Sequence, residues 1–81
     1  GIVCPVGNDL KSAWAGLTSG TSGVTRITHF DSANFASQIA GEVKGFEVEQ
    51  VVEKKEAKRF DRFSLFALAC AKEAWKDSGL E

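Results

Sequence analysis

The stretch from residue 61 to residue 79 constrains this chain more than any other, because it has the pattern of a long helix with too much apolar surface for a single partner. Phe63, Phe66, Ala67, Cys70, Ala71, Ala74 and Trp75 recur at helical spacing, and residues 66–71 are apolar at every position. Positions three and four apart share a helix face, and a surface helix needs only one such stripe. Asp61 stands where an N-cap belongs and Gly79 where a C-terminal stop belongs. The unbroken run therefore predicts cover on more than one side, with alanines that let neighbouring backbone come close. With 81 residues in all, the chain has little material for such cover, since small domains bury a smaller share of their surface than large ones. Two architectures satisfy the pattern: a small helical domain with a dense core, or a helix covered by the rest of a larger chain.

The remaining elements are weaker. Ile2 and Val3, ended by Pro5 and Gly7, have the look of the last residues of a buried strand, so the chain reads as starting inside an element. Asn8 is placed to cap a helix whose apolar positions are Leu10, Ala13, Trp14 and Leu17; Gly16 weakens this helix and Gly20 stops it. Residues 19–23 have the composition of a surface loop. No phosphate cradle follows, because residues 24–27 do not open a helix after a strand. Asp31 or Ser32 caps a short turn that carries Phe35 inward, with Phe30 as its staple. Residues 38–43 read as a strand with Ile39 and Val43 on one face, ended by Gly45. Residues 47–52 form one or two turns leading into 53–59.

Few sites for chemistry can be assembled from this inventory. His29 is the sole histidine, without a Cys, Ser or Asp at a spacing that marks a base, and reads as a surface or capping residue. Cys4 precedes Pro5, and Cys70 lies in the apolar helix stripe, where a thiol behaves as a small hydrophobe; both are expected reduced, and neither reads as a nucleophile. One His and two distant Cys fall short of a zinc shell, so no metal and no cofactor is expected. No run approaches the roughly 20 apolar residues of a membrane span.

Residues 53–62 are the exception. They hold five basic and three acidic residues, a local charge of +2 against -3 for the rest of a chain whose total is -1. Lys55, Lys58 and Arg59 fall at i, i+3 and i+4, so on a helix they share a face and repel one another. Such a face is either ordinary solvated surface, with Glu56 and Asp61 offsetting the charge, or a docking site for an acidic partner. The -1 total and phenylalanines committed to a core argue against nucleic acid.

Five blocks in order carry a family likeness over essentially the whole chain. They are Gly1-Ile2-Val3-Cys4-Pro5-Val6-Gly7-Asn8, then Trp14 with Leu17 and Ser19-Gly20, then Ile27-Thr28-His29-Phe30-Asp31, then Ile39-Ala40-Gly41-Glu42-Val43, and Lys55-Glu56-Ala57-Lys58-Arg59-Phe60-Asp61-Arg62-Phe63, with Asp77-Ser78-Gly79-Leu80 closing the long helix. The sequence resembles the start of the β-ketoacyl-acyl-carrier-protein synthases. The resemblance implies an α/β class, with residues 1–81 as the N-terminal fragment of the first synthase domain in a thiolase-like fold of alternating helix and sheet layers. It also implies a cytoplasmic homodimer that elongates fatty acids by decarboxylative condensation. A polyketide ketosynthase or a chain-length factor shares the opening pattern, and a non-enzymatic binding module using the basic patch is the competing class.

The cysteine and two histidines that carry the family's reaction lie beyond the matched part, so the resemblance implies no catalytic residue among these 81. Cys4 stands where relatives usually carry Thr or Ser and inherits no role. Lys55, Lys58 and Arg59 match a basic patch that looks like the family's docking surface for acyl carrier protein, with Lys54 and Arg62 as weaker members. Neither nucleic acid nor membrane insertion is implied as a partner.

Overall fold

The computed structural model describes residues 1–80. Helix α1 (Leu10–Thr18) is followed by an antiparallel pair, β1 (Val24–Arg26) and β2 (Ile39–Gly41), then a 3-10 turn (Val48–Gln50), a one-turn helix α2 (Lys54–Ala57) and the long helix α3 (Arg62–Ser78). Val24 pairs with Gly41, Thr25 with Ala40 and Arg26 with Ile39. The class is mixed α/β.

Helix α3 follows its sequence pattern. Asp61 is extended at the N-cap (φ -70, ψ 159) and Gly79 is left-handed at the C-cap (φ 78). Glycine takes that conformation without the Cβ clash other residues meet. The Asp61 side chain makes no capping bond; its carbonyl accepts the amides of Ser64 and Leu65 at 3.0 and 3.1 Å.

Helix α1 corrects the expected cap by one residue. Asp9, not Asn8, is the N-cap, and its carboxylate accepts the Ser12 amide at 2.8 Å and the Ser12 hydroxyl at 2.6 Å. These two bonds hold the Asp9 carboxyl below its ordinary range. Asn8 is occupied elsewhere, because its amide nitrogen donates to the Lys44 carbonyl at 2.7 Å and ties the first loop to the end of β2. Gly7 sits so close to α1 that a Cβ there would collide with the Ala13 backbone.

Three further expectations change. Ile2 and Val3 form no strand; Cys4 and Gly7 close a tight turn through mutual backbone bonds of 2.9 and 3.1 Å. The strand expected over 38–43 shortens to Ile39–Gly41, and its partner Val24–Arg26 lies in a stretch with no predicted element. Phe30 and Phe35 do meet, edge to face at 5.5 Å, yet both stay more than half exposed on a non-helical turn.

The inner side of α3 gathers the fold. Leu65 is buried, Phe66 packs edge to face on Phe46 at 4.9 Å, and the Arg62 guanidinium lies 5.0 Å above the Phe66 ring while donating to the Val43 carbonyl at 3.0 Å. Lys72 donates to the Val51 carbonyl. Glu73 takes the amide of Ile2 on one oxygen at 3.0 Å and that of Leu10 on the other at 2.9 Å, so one carboxylate fixes both the N-terminal segment and the open end of α1. Those two amides, Leu10 first, hold its carboxyl below the ordinary range.

A dense helical core is excluded. Among the described residues, only Ala13, Val51 and Leu65 are buried apolar residues. The molecule measures 49 × 35 × 14 Å, and its radius of gyration of 14.6 Å exceeds the roughly 12 Å of a compact chain of this length. Its accessible surface of 6222 Å² exceeds the roughly 4,700 Å² scaling gives for a folded monomer of this mass. A slab about one helix thick leaves Leu10, Trp14 and Leu17 of α1 and Phe63 and Trp75 of α3 open.

Candidate functional site

The basic segment is built on very little helix. Glu53 opens α2 with extended dihedrals and no side-chain cap, and after Ala57 the residue Lys58 keeps helical angles (φ -69, ψ -16). The turn continues through the amides of Arg59 and Phe60, which donate to Glu56 and Ala57 at 2.9 and 3.3 Å. Lys54, Lys55, Lys58 and Arg59 are all exposed.

Side-chain placement divides the predicted residues. Lys55 and Lys58 come together as their spacing requires, and Lys54 joins them around an open hollow of about 480 Å³. Arg59 is not part of its lining; its Nη1 lies 3.7 Å from Oε2 of Glu56. Arg62 points away from this group to the Val43 carbonyl and the Phe66 ring, where it serves the fold.

A second polar centre was invisible in sequence. Glu42 is 8% exposed, and its carboxylate accepts the Thr28 hydroxyl at 2.8 Å, the Thr28 amide at 3.1 Å and the His29 amide at 3.2 Å. His29 Nδ1 and Lys44 Nζ approach it to 3.5 and 3.6 Å. The Thr28 hydroxyl bond foremost, helped by the two amides and His29, pulls the Glu42 carboxyl down to about 2 against the desolvation that opposes it. This arrangement locks the loop after β1 to the end of β2. His29 thus serves a structural carboxylate, and only the coincidence of Thr28, His29 and Glu42 across a strand pair reveals it.

Cys4 and Cys70 are both free and half-buried. Among the described residues, no group of three or more His, Cys, Asp or Glu is placed to hold a metal ion, and no helix is long and apolar enough to cross a membrane.

The structure is thus an open α/β slab with a hollow lined by Lys54, Lys55 and Lys58, and its Glu42 and Glu73 carboxylates are engaged in holding backbone amides. The chain belongs to the β-ketoacyl synthase family: the sequence pattern of the β-ketoacyl synthase N-terminal domain matches residues 1–81. It is 46% identical over 81 residues to 3-oxoacyl-[acyl-carrier-protein] synthase 2 of Vibrio cholerae serotype O1. It is 41% identical over 81 residues to the synthase 2 of Staphylococcus aureus. Both alignments use 100% of this chain and 20% of the relative's length, so the chain spans about a fifth of the relatives it matches.

Proposed function

We propose that these residues form the opening segment of a 3-oxoacyl-[acyl-carrier-protein] synthase that elongates fatty acids, and that the segment supplies scaffold and a docking surface for acyl carrier protein. The observation that carries this reading is the match to proteins of that name along the entire chain, at 41 to 46% identity. In this reading residues 1–81 begin the first domain of a thiolase-like, cytoplasmic homodimer. The reaction transfers an acyl group from carrier protein to a cysteine. Loss of carbon dioxide from malonyl carrier protein then leaves a carbanion that attacks the acyl thioester, forming the carbon–carbon bond and releasing the thiolate. The cysteine and the two histidines that assist it lie in sequence outside this segment.

The docking part rests on Lys55, Lys58 and Arg59, which are exposed and stand at i, i+3 and i+4, next to the exposed Lys54. Acidic partners are steered by such clusters, and exposed ion pairs each contribute about 0.2–1 kcal/mol. In the full-length synthase, reversing all three charges (K55E/K58E/R59E) adds repulsion to that loss and is expected to raise the KM for acyl carrier protein by more than about tenfold. Raising salt should bring the wild type toward the variant, because screening acts on the encounter. An unchanged KM would remove the docking assignment. A parallel loss with a small thioester donor that lacks the carrier would assign these residues to folding.

A further inference from the structure

Apart from Arg62, which is bound into the fold, the basic segment holds its four other cations in two different states. Lys54, Lys55 and Lys58 line one hollow, and among the described residues none has a carboxylate within ion-pair distance. Arg59 stands outside that lining, 3.7 Å from the carboxylate of Glu56 on the same turn, with the two side chains 77% and 47% exposed. That separation is longer than a hydrogen bond. It is therefore a charge contact in solvent, strong enough to bias where the guanidinium sits and weak enough for a competitor to displace. Of the four cations, Arg59 alone can grip a carboxylate with two parallel N–H bonds.

We infer that Glu56 is the residue that sets docking strength: it holds Arg59 out of the lysine hollow as an internal counter-ion, so an acidic carrier surface first meets three ammonium groups and must compete for the guanidinium. The inference rests on the docking reading above and goes beyond it by dividing the patch. Lys54 becomes a member of the receiving group, Arg59 a held reserve, and Glu56 the restraint. A carrier protein must leave after each acyl transfer, and an intrinsic competitor for the strongest carboxylate ligand favours release.

The test measures the Kd of labelled acyl carrier protein for the full-length synthase at low salt. Glu56→Gln keeps shape and removes the charge, and is expected to tighten Kd by about two- to fivefold, the fold-change of one exposed ion pair. Arg59→Gln alone should weaken binding less than Lys55→Gln does, and added to Glu56→Gln it should erase the gain. An unchanged or weaker Kd for Glu56→Gln, or an Arg59→Gln loss equal to that of Lys55→Gln, overturns the inference. The variant K54E/K55E/K58E separates the two levels. If it leaves Kd unchanged, the docking reading itself falls; if it weakens binding while Glu56→Gln changes nothing, only the restraint falls.

Discussion

The two faces of α3 differ in kind. The inner face joins the rest of the chain through apolar contact and polar ties together: Leu65 is buried, Phe66 meets Phe46, Lys72 reaches the Val51 carbonyl and Glu73 holds two amides. The outer face carries Phe63, Ala67, Ala71, Ala74 and Trp75, all exposed, with Phe63 at 72% and Trp75 at 56%. A helix that meets water on one side normally shows polar residues there. Here the second face is apolar and uncovered, so the local pattern that makes a helix and the packing that buries it part company within one element.

The largest effect expected from this contrast concerns the 81 residues on their own. Each 100 Å² of apolar surface left in water forgoes about 2.5 kcal/mol, against a total stability of about 5–15 kcal/mol for a domain. Expressed alone, the chain should show no cooperative thermal transition and should bind an apolar dye. A sharp two-state melt of a monomer would break the contrast, because the outer face would then need no cover.

Substitution in the full-length protein sharpens the same point. Leu65→Ala empties a site already filled and should cost about 2–5 kcal/mol in a denaturant titration. Phe63→Ala is the diagnostic partner. At the exposure seen here it should change stability by no more than about 0.5 kcal/mol, whereas beneath a second layer it should cost about 3–5 kcal/mol. The larger value is expected. A negligible cost would mean that Phe63 faces solvent in the longer protein as well.

What could be read from sequence follows the range of the forces involved. The extent of α3 was legible because Asp61, the 3.6-residue period and Gly79 are all local. Residues 47–52 were legible as one or two turns for the same reason, and the 3-10 turn Val48–Gln50 falls within them. The choice of Asp9 over Asn8 as cap was not, since it depends on Lys44, which draws Asn8 away from 36 residues along the chain. Strand β1 was hidden because three exposed residues carry no periodic signal and become a strand only through Gly41, Ala40 and Ile39. Within the basic segment, charge and spacing brought Lys55 and Lys58 together, while the inclusion of Lys54 and the pairing of Arg59 with Glu56 are rotamer-level facts that spacing does not encode.

The smallest effect lies in the polar ties, and acid separates them from the apolar contacts beside them. Glu73 ionises in the fold below its ordinary value of 4.5, and Glu42 falls from 4.5 to about 2. A carboxyl whose folded pKa is depressed adds stability that is fully present above the unfolded value and is lost as pH falls through the folded one. The contribution of Glu42 is therefore complete above pH 4.5 and disappears by about pH 2, and that of Glu73 starts to decline at the same upper limit. Glu42→Gln and Glu73→Gln in the full-length protein should each lower stability at neutral pH, with the gap to wild type closing on acidification. For Glu42→Gln the gap should close only by about pH 2, because Thr28 donates to Glu42 through both hydroxyl and amide and His29 adds a third bond. Leu65→Ala has no titrating group and should keep its deficit constant across the same range. Chemical denaturation at a series of pH values would measure all three, and a pH-independent deficit for Glu42→Gln would show that shape rather than charge holds the loop after β1.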